Sequence, residues 1–417
     1  MKNLKLKRMT SLLLALCLCF SIVLTSCGKG DKDTSSAKGI GTNLSETLGS
    51  APSKQLGIYV KDGVIMLGDK PFYGIGTNYY EIAYKLITDP IADDFEAGIK
   101  KVKEQKIPYI RVRFSSYAGE GMDVFYDNPA MFFRGMDRVV ELCEQYKIGI
   151  IADLAWTLMP YKTEGQTTQD FITTADGEGF QKMISYMQTI VKRYKNSPAI
   201  WGWEVGNEFN LACSVAPENL DPQDLGNFFE YVMGKIKEAD GTDRMITTGN
   251  SQNRHAQKNL WKNGNWTADT LEETKEMLEI FENQYSSIIS THVYQNEQIL
   301  GGQTVNVLEY LKGINKMAQE IGKPLFIGEY CDDSKDKSDQ ALSLDKFQRL
   351  HDAIMESGIQ MATIWIQDNY RDLYMKTNSY IQYELDCAKS GNEKFIADGK
   401  QDLDNYWNGT TNVVYKG

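Results

Sequence analysis

From about residue 57 onward, short apolar, β-prone runs alternate with longer stretches whose apolar residues recur every three to four positions. The short runs lie at 72–78, 108–114, 148–154, 199–205, 244–249, 286–293, 324–329 and 361–366 and read as strands. The stretches between them, near 92–106, 131–147, 178–195, 223–239, 269–283, 305–321 and 341–357, read as amphipathic helices. In Phe132–Tyr146, for example, Met136, Val139, Val140 and Cys143 fall on one helical face. A last helix is expected near 377–389, and the tail beyond it shows no clear pattern. Ahead of the alternation, Ile58–Val60 and Val64–Leu67 flank Asp62-Gly63, a strong marker of a β-hairpin.

Eight strands alternating with helices is the count of a (β/α)8 TIM barrel, an α/β fold, here with a short N-terminal β-hairpin. An open doubly wound sheet alternates in the same way, but no Gly-rich phosphate loop follows the first strand to support it. There is no sequence repeat. A barrel of this kind takes about 250 residues or more, so residues 57–417 read as one domain.

The first residues are a separate object. Lys2, Lys5, Lys7 and Arg8 precede an apolar run, Leu12 to Leu24, that is short for a membrane span. Leu24-Thr25-Ser26-Cys27 follows and resembles a bacterial lipobox, which implies a signal peptide over 1–26 and lipidation of Cys27. A plain secretory signal with a chance cysteine is the alternative. Residues 27–56 are rich in Gly, Ser, Thr and Lys and read as a flexible tether. The expected location is the cell surface, outside the cytoplasm, with the membrane reached only through the lipid.

Export changes the charge. The leader carries four cations and no acids, so the formal net charge moves from −11 to −15 on its removal. That acidity argues against nucleic acid or an anionic membrane surface as a partner of the folded part. Cys143, Cys213, Cys331 and Cys387 are widely spaced, which indicates neither a disulfide nor a zinc framework. No HExxH or Cys/His cluster points to a metal, and no cofactor is expected.

The chemistry rests on two glutamates. Trp201-Gly202-Trp203-Glu204-Val205-Gly206-Asn207-Glu208 carries one just past the fourth strand, and Pro324-Leu325-Phe326-Ile327-Gly328-Glu329-Tyr330 ends the seventh on the other. In a barrel, chemistry sits at the C-terminal strand ends, and those two ends face one another across the mouth. Two carboxyl groups so placed are the minimum equipment for cleaving a glycosidic bond. Glu204 and Glu297 are weaker candidates, Glu204 being expected inside the barrel or its surrounding layer. Trp203, within a strand, is expected to be packing, and the isolated His255 and His351 to be structural or superficial.

With Asn207-Glu208 and Gly328-Glu329-Tyr330 in those places, the chain resembles a clan A retaining glycoside hydrolase, most nearly family 5, over about residues 57–370. The resemblance implies Glu208 as acid/base and Glu329 as nucleophile. It implies that Arg111, in Ile110-Arg111, hydrogen-bonds the nucleophile, and that Asn207 bonds a sugar 2-hydroxyl. Of His292-Val293-Tyr294, which closes the sixth strand, Tyr294 would support the nucleophile and His292 would lie beside the cleaved sugar. Trp365 would floor the subsite of the attacked sugar. Trp156 is a further stacking surface or core, Asn78 a polar contact, and Arg113 either functional or part of a structural charge pair.

One departure matters. Cellulase-like members place a histidine two residues after an aspartate on the third strand; here Asp153-Leu154-Ala155 has alanine, followed by Trp156. The mannanase-like branch places tryptophan in this loop. The expectation is therefore a monomeric, retaining glycosidase acting on β-linked polysaccharide or oligosaccharide, with endo-β-1,4-mannanase ahead of β-1,4-glucanase. A transglycosylase would use the same residues. A non-catalytic, sugar-binding surface lipoprotein is the alternative from another class.

Overall fold

The computed structural model describes residues 55–89, 91, 94–115, 122–332, 340–366 and 378–410. The expected signal peptide, Cys27 and nearly all of the tether lie outside the described residues. Eight strands, Gly74–Asn78, Tyr109–Arg113, Gly149–Asp153, Ile200–Glu204, Met245–Thr247, Ile289–Val293, Leu325–Tyr330 and Met361–Ile364, form one parallel sheet. They pair in sequence, and the eighth pairs with the first. Between the fifth and sixth, single bonds replace a ladder. Ser287 donates its N–H to the Ile246 carbonyl at 3.0 Å, and the Thr247 hydroxyl donates to the Ile288 carbonyl at 2.9 Å. The result is a nearly closed (β/α)8 barrel, with an amphipathic helix following each strand.

The helices begin and end where local chemistry directs. Val307–Ile321, for instance, starts in a capping box between Asn306 and Glu309 and stops at Gly322, whose φ of 92° only glycine adopts readily. The N-terminal hairpin turns at Asp62 and Gly63, both with positive φ, as a tight two-residue turn requires. A second hairpin, Glu297–Leu300 with Gln303–Asn306, lies where no strand was expected. Its turn is Gly301-Gly302, both at positive φ, so the signal for it was in the sequence.

The end of the barrel that holds the strand starts is plugged. Helix Asn378–Ala397 runs past the expected boundary, and a further helix, Leu403–Thr410, follows it. Tyr406 of that helix accepts from the Gly57 N–H at 3.0 Å and donates to the Pro198 carbonyl at 2.7 Å. Gln360 ties the first hairpin to the eighth strand through Ile65 and Phe72. The tail that showed no pattern in sequence thus closes the bottom and leaves the other end to chemistry.

Two strands carry irregularities that decide which way their last residues face. The pairing register of the third and fourth strands shifts between Ile150 and Ile151, beside Trp201. That indole fills the space over Gly149, where a Cβ would meet it at 2.1 Å. The seventh strand shifts between Ile327 and Glu329, at Gly328. A one-residue slip exchanges the two faces of a strand, so these bulges turn Glu204 and Glu329 into the barrel. Trp203 points outward and donates its indole N–H to Asp240 of helix Pro222–Asp240, as packing.

His351, on helix Gln340–Glu356, stacks against Phe347 and Tyr330, and its Nδ1 lies 2.9 Å from the Tyr330 hydroxyl. Burial pushes its pKa down from 6.5 to about 4. An unfolded imidazole takes up its proton near 6.5, so the stability from keeping His351 neutral is present above that pH and is lost as pH falls towards 4. The loss expected across this window is on the order of 3 kcal/mol. Urea unfolding at several pH values is expected to show a shallower slope for His351→Gln; identical slopes would refute the assignment.

Candidate active site

The inward-facing residues of the first, second, fourth and seventh strands meet around one guanidinium. Arg111 is 1% exposed. Its Nε donates to Glu204 Oε1 at 2.8 Å and its Nη1 to Glu329 Oε1 at 2.6 Å. Nη1 also donates to Asn78 Oδ1 at 3.0 Å, and Nη2 to Asn207 Oδ1 at 2.8 Å. Burial works against the charge of Arg111, but its carboxylate neighbours, Glu204 first and then Glu329, more than offset it, so the group stays protonated.

Glu329 is held from both sides, by Arg111 on one oxygen and by the Tyr294 hydroxyl on the other. Burial and the nearby Glu329 charge push the Tyr294 pKa well up, so its proton is available to donate. His292, on the same strand face as Tyr294, lies with Nδ1 2.8 Å from Glu208 Oε1 and 3.6 Å from Glu329 Oε2. Gly328 makes this possible, since a Cβ there would stand 2.7 Å from His292 Nε2.

Glu208 sits at the start of a short 3-10 turn, Phe209–Ala212, with a left-handed φ of 55°. Its N–H donates to the Gly249 carbonyl at 2.9 Å, and Ser251 bonds its carboxylate. Gly249 is obligatory there, because a Cβ would meet the Gly206 carbonyl at 1.7 Å. Asn210 joins the loops after the fourth and fifth strands through the Ser251 backbone and Asn253. Backbone strain in an L-residue at such a φ, held by neighbouring loops, is characteristic of functional positions.

One ligand-capable atom from each of Glu208, His292 and Glu329 lies within 4.8 Å of the other two. Three such groups are a spacing a divalent cation accepts. These, however, are engaged with one another, with Tyr294 and with Arg111, whose charge opposes a second cation beside Glu329. The arrangement suits two opposed carboxyls acting on one bond.

An aromatic wall stands beside the acids. Trp156 and Trp365 stack at 5.9 Å, and Tyr80 packs edge-on to both. Arg111 lies 5.1 Å from the Trp156 ring, and Arg113 lies 4.4 Å from Tyr80. Arg113 therefore braces the wall, and its charge also acts on Asp153 of the next strand. Asn78 is buried, and its amide also donates to the Gly328 and Ile364 carbonyls, so it is a support inside the protein and not a contact for a ligand. Asn207 has its oxygen turned to Arg111, which leaves its NH2 as the donor for a ligand.

The chain matches the model for cellulase, glycosyl hydrolase family 5, over residues 74–370. It belongs to glycosyl hydrolase family 5. The family 5 chain is also 32% identical over 124 residues to the probable mannan endo-1,4-beta-mannosidase A of Aspergillus niger, a match spanning 27% of this chain and 30% of that relative. Its fold is similar to the endo-beta-1,4-mannanase from Thermotoga petrophila, with a TM-score of 0.56 at 17% identity over 78% of each chain. The glycoside hydrolase family 5 mannosidase from Rhizomucor miehei has a TM-score of 0.55 at 14% identity, over 86% of this chain and 99% of that one. As a family 5 member the protein is a glycoside hydrolase.

Sequence reasoning missed Tyr80, Ser251 and the depth of the charge network. Asp153 and Glu204 are paired across adjacent strands, and both are fully buried. Burial, then the charge of Glu204, raises the Asp153 pKa well above its ordinary value. That shift favours the neutral form of Asp153 beside Glu204, which in turn holds Arg111. Asp153→Asn keeps a neutral donor and is expected to hold kcat/KM on a chromogenic β-glycoside within about threefold, while Asp153→Leu loses about tenfold or more. Equal damage in both variants would show that Asp153 works ionised.

Proposed function

We propose that this family 5 enzyme hydrolyses β-linked polysaccharide with retention, with β-1,4-mannan as its substrate and internal linkages as its points of attack. The observation that carries the reading is the close opposition of Glu208 and Glu329, with only Glu329 clamped by Arg111 and Tyr294. Retaining glycosidases hold their two carboxyls about 5–5.5 Å apart, leaving no room for a water between the attacking carboxylate and the sugar. Glu329 attacks the anomeric carbon as the glycosidic bond breaks, and Glu208 delivers its proton to the departing oxygen. Glu208 then takes a proton from water, which attacks the same carbon and releases Glu329.

The two carboxyls titrate apart, but without a ligand in the order opposite to the one this division of labour needs, so a bound sugar has to reverse it. Burial raises Glu329 above the ordinary range, and His292 and Arg111 only partly reverse it. Glu208 is also raised by burial, but the bond and charge of His292, with Ser251 and Arg111, bring it below the ordinary value. Its side chain is still 27% exposed. A sugar seated over it removes that water and lifts it towards the protonated form an acid must have.

Mannan is favoured by the Aspergillus niger relative and by Trp156 in the loop where cellulase-like members carry histidine. β-1,4-Glucan is the second reading, favoured by the cellulase description of the matching family model. We also place the enzyme outside the cytoplasm, anchored through a lipid on Cys27, from the cationic start, apolar run and lipobox-like residues.

Glu208→Ala is expected to lose about 10²–10⁴-fold on natural glycan yet still turn over an aryl glycoside with a good leaving group, faster with added azide. Undiminished glycan cleavage without an azide effect would remove Glu208 as acid/base. A reducing-sugar screen against mannan and cellulose separates the two substrates. Cys27→Ala is expected to leave the membrane fraction; lipid labelling equal to the parent's would refute the anchor.

A further inference from the structure

We propose that Asn210 is a positioning residue for the acid: by clamping Ser251, it aims the Glu208 carboxyl at the leaving oxygen. This rests on Glu208 being the acid/base. The side-chain bonds of Asn210 go to Ser251 and Asn253, so its effect on the reaction passes through the loop after the fifth strand.

Glu208 needs outside help to hold its aim. It lies beyond the end of the fourth strand, its backbone is left-handed, and its side chain is 27% exposed. The 3-10 turn that it starts places Asn210 two residues on, fully buried. Asn210 Oδ1 accepts the Ser251 N–H at 3.0 Å, and Nδ2 donates to the Ser251 carbonyl at 2.8 Å. One amide thus satisfies both backbone groups of a single residue, as a neighbouring strand would. The same Nδ2 donates to Asn253 Oδ1 at 3.0 Å, and Asn253 is anchored on the Met277 carbonyl at 2.8 Å.

The loop is also tied to the strand that carries the imidazole. Ser290, two residues before His292 on the sixth strand, donates its hydroxyl to the Asn250 carbonyl at 2.8 Å. The loop in turn holds the acid twice. Gly249 takes the Glu208 N–H on its carbonyl, and Ser251 bonds the carboxylate. An aspartate at 210 would have no donor for the Ser251 carbonyl and would bury a charge. The Ser251 hydroxyl favours the ionised form of Glu208, which is the form left when the proton departs. Among the described residues, the titratable and charged groups that act on Glu208 are His292 and Tyr294 of the sixth strand, Arg111 of the second and Glu329 of the seventh. None of them sits on the loop that Asn210 holds.

Single-turnover cleavage isolates the step in which the proton is delivered. Asn210→Ala is expected to cleave a β-1,4-linked manno- or cello-pentaose, whichever the parent cleaves, about 10–100-fold more slowly, the scale of loss that a displacement of about 1 Å produces. On a dinitrophenyl glycoside, whose leaving group departs without a proton, it is expected to follow the parent within about twofold. A role in folding alone would slow both alike. Ser251→Ala keeps the backbone clamp and removes only the hydroxyl, so it serves where Asn210→Ala does not fold. A hydrogen bond to the ionised carboxylate lowers its pKa, and the acid must be protonated to act. Loss of that bond is therefore expected to move the alkaline limb of pentaose cleavage to higher pH, with Ser251→Thr following the parent. Equal losses on the two substrates, or an alkaline limb unmoved in Ser251→Ala, would overturn the clamp. Glu208→Ala with azide, run alongside, tells this apart from failure of the acid assignment: with azide rescue only the clamp falls, and without it both do.

Discussion

Everything in the site depends on a cation that has no water. Arg111 lies inside the barrel among Glu204, Glu329, Asn78 and Asn207, and each of these reaches it from a different strand or strand end. Taking a guanidinium out of water is costly, and removing one partner from such a buried pair typically costs about 3–5 kcal/mol. The four strands are therefore constrained to one mutual register, because a slip in any of them leaves the charge unpaired. Fold and site are specified together. The carboxylate proposed to attack is also one of the two that neutralise the core.

That constraint explains the bulges. Regular alternation along Ile200–Glu204, anchored by Trp201 at the bottom of the barrel, would turn Glu204 away from Arg111. The extra residue in the fourth strand lets the same segment plug the bottom with an indole and present a carboxylate further up. In the seventh strand, Gly328 performs the equivalent turn and in the same stroke makes room for His292. Irregularity is concentrated in the two strands that carry the acids, where the aim of a side chain matters more than ladder continuity.

The barrel was legible because its signal is periodic: seven of the eight strands fall inside the expected runs and the seventh in order passes its own by one residue, to Tyr330; Glu208, Glu329, His292, Tyr294 and Arg111 converge because topology, not local chain geometry, brings strand ends together. What was not legible depends on contacts between distant strands. Nothing in Gly76-Thr77-Asn78 tells whether the amide faces a ligand or three protein partners. Glu204 was set aside for want of a motif, yet it anchors Arg111, and the raised pKa of Asp153 comes from burial and from the second carboxyl on the next strand, neither of which its own segment shows. The last helices escaped for another reason. Their aromatic residues pack against strand starts more than 190 positions earlier, as Tyr406 does at Pro198.

In the proposed mechanism the same network governs how the two acids divide their work. Glu329 is buried with a permanent cation, a hydroxyl and an imidazole around it, so its surroundings change little when a sugar arrives. Glu208 keeps partial contact with solvent and leans on His292 and Ser251. Its proton affinity is therefore the one a ligand can alter, by excluding water. An invariant carboxylate suits covalent attack, and an adjustable one suits the transfer of a proton in one step and its recovery in the next. His292, within reach of both, couples them: a charge lost on Glu329 when it bonds the sugar changes the field at the imidazole, and through it at Glu208.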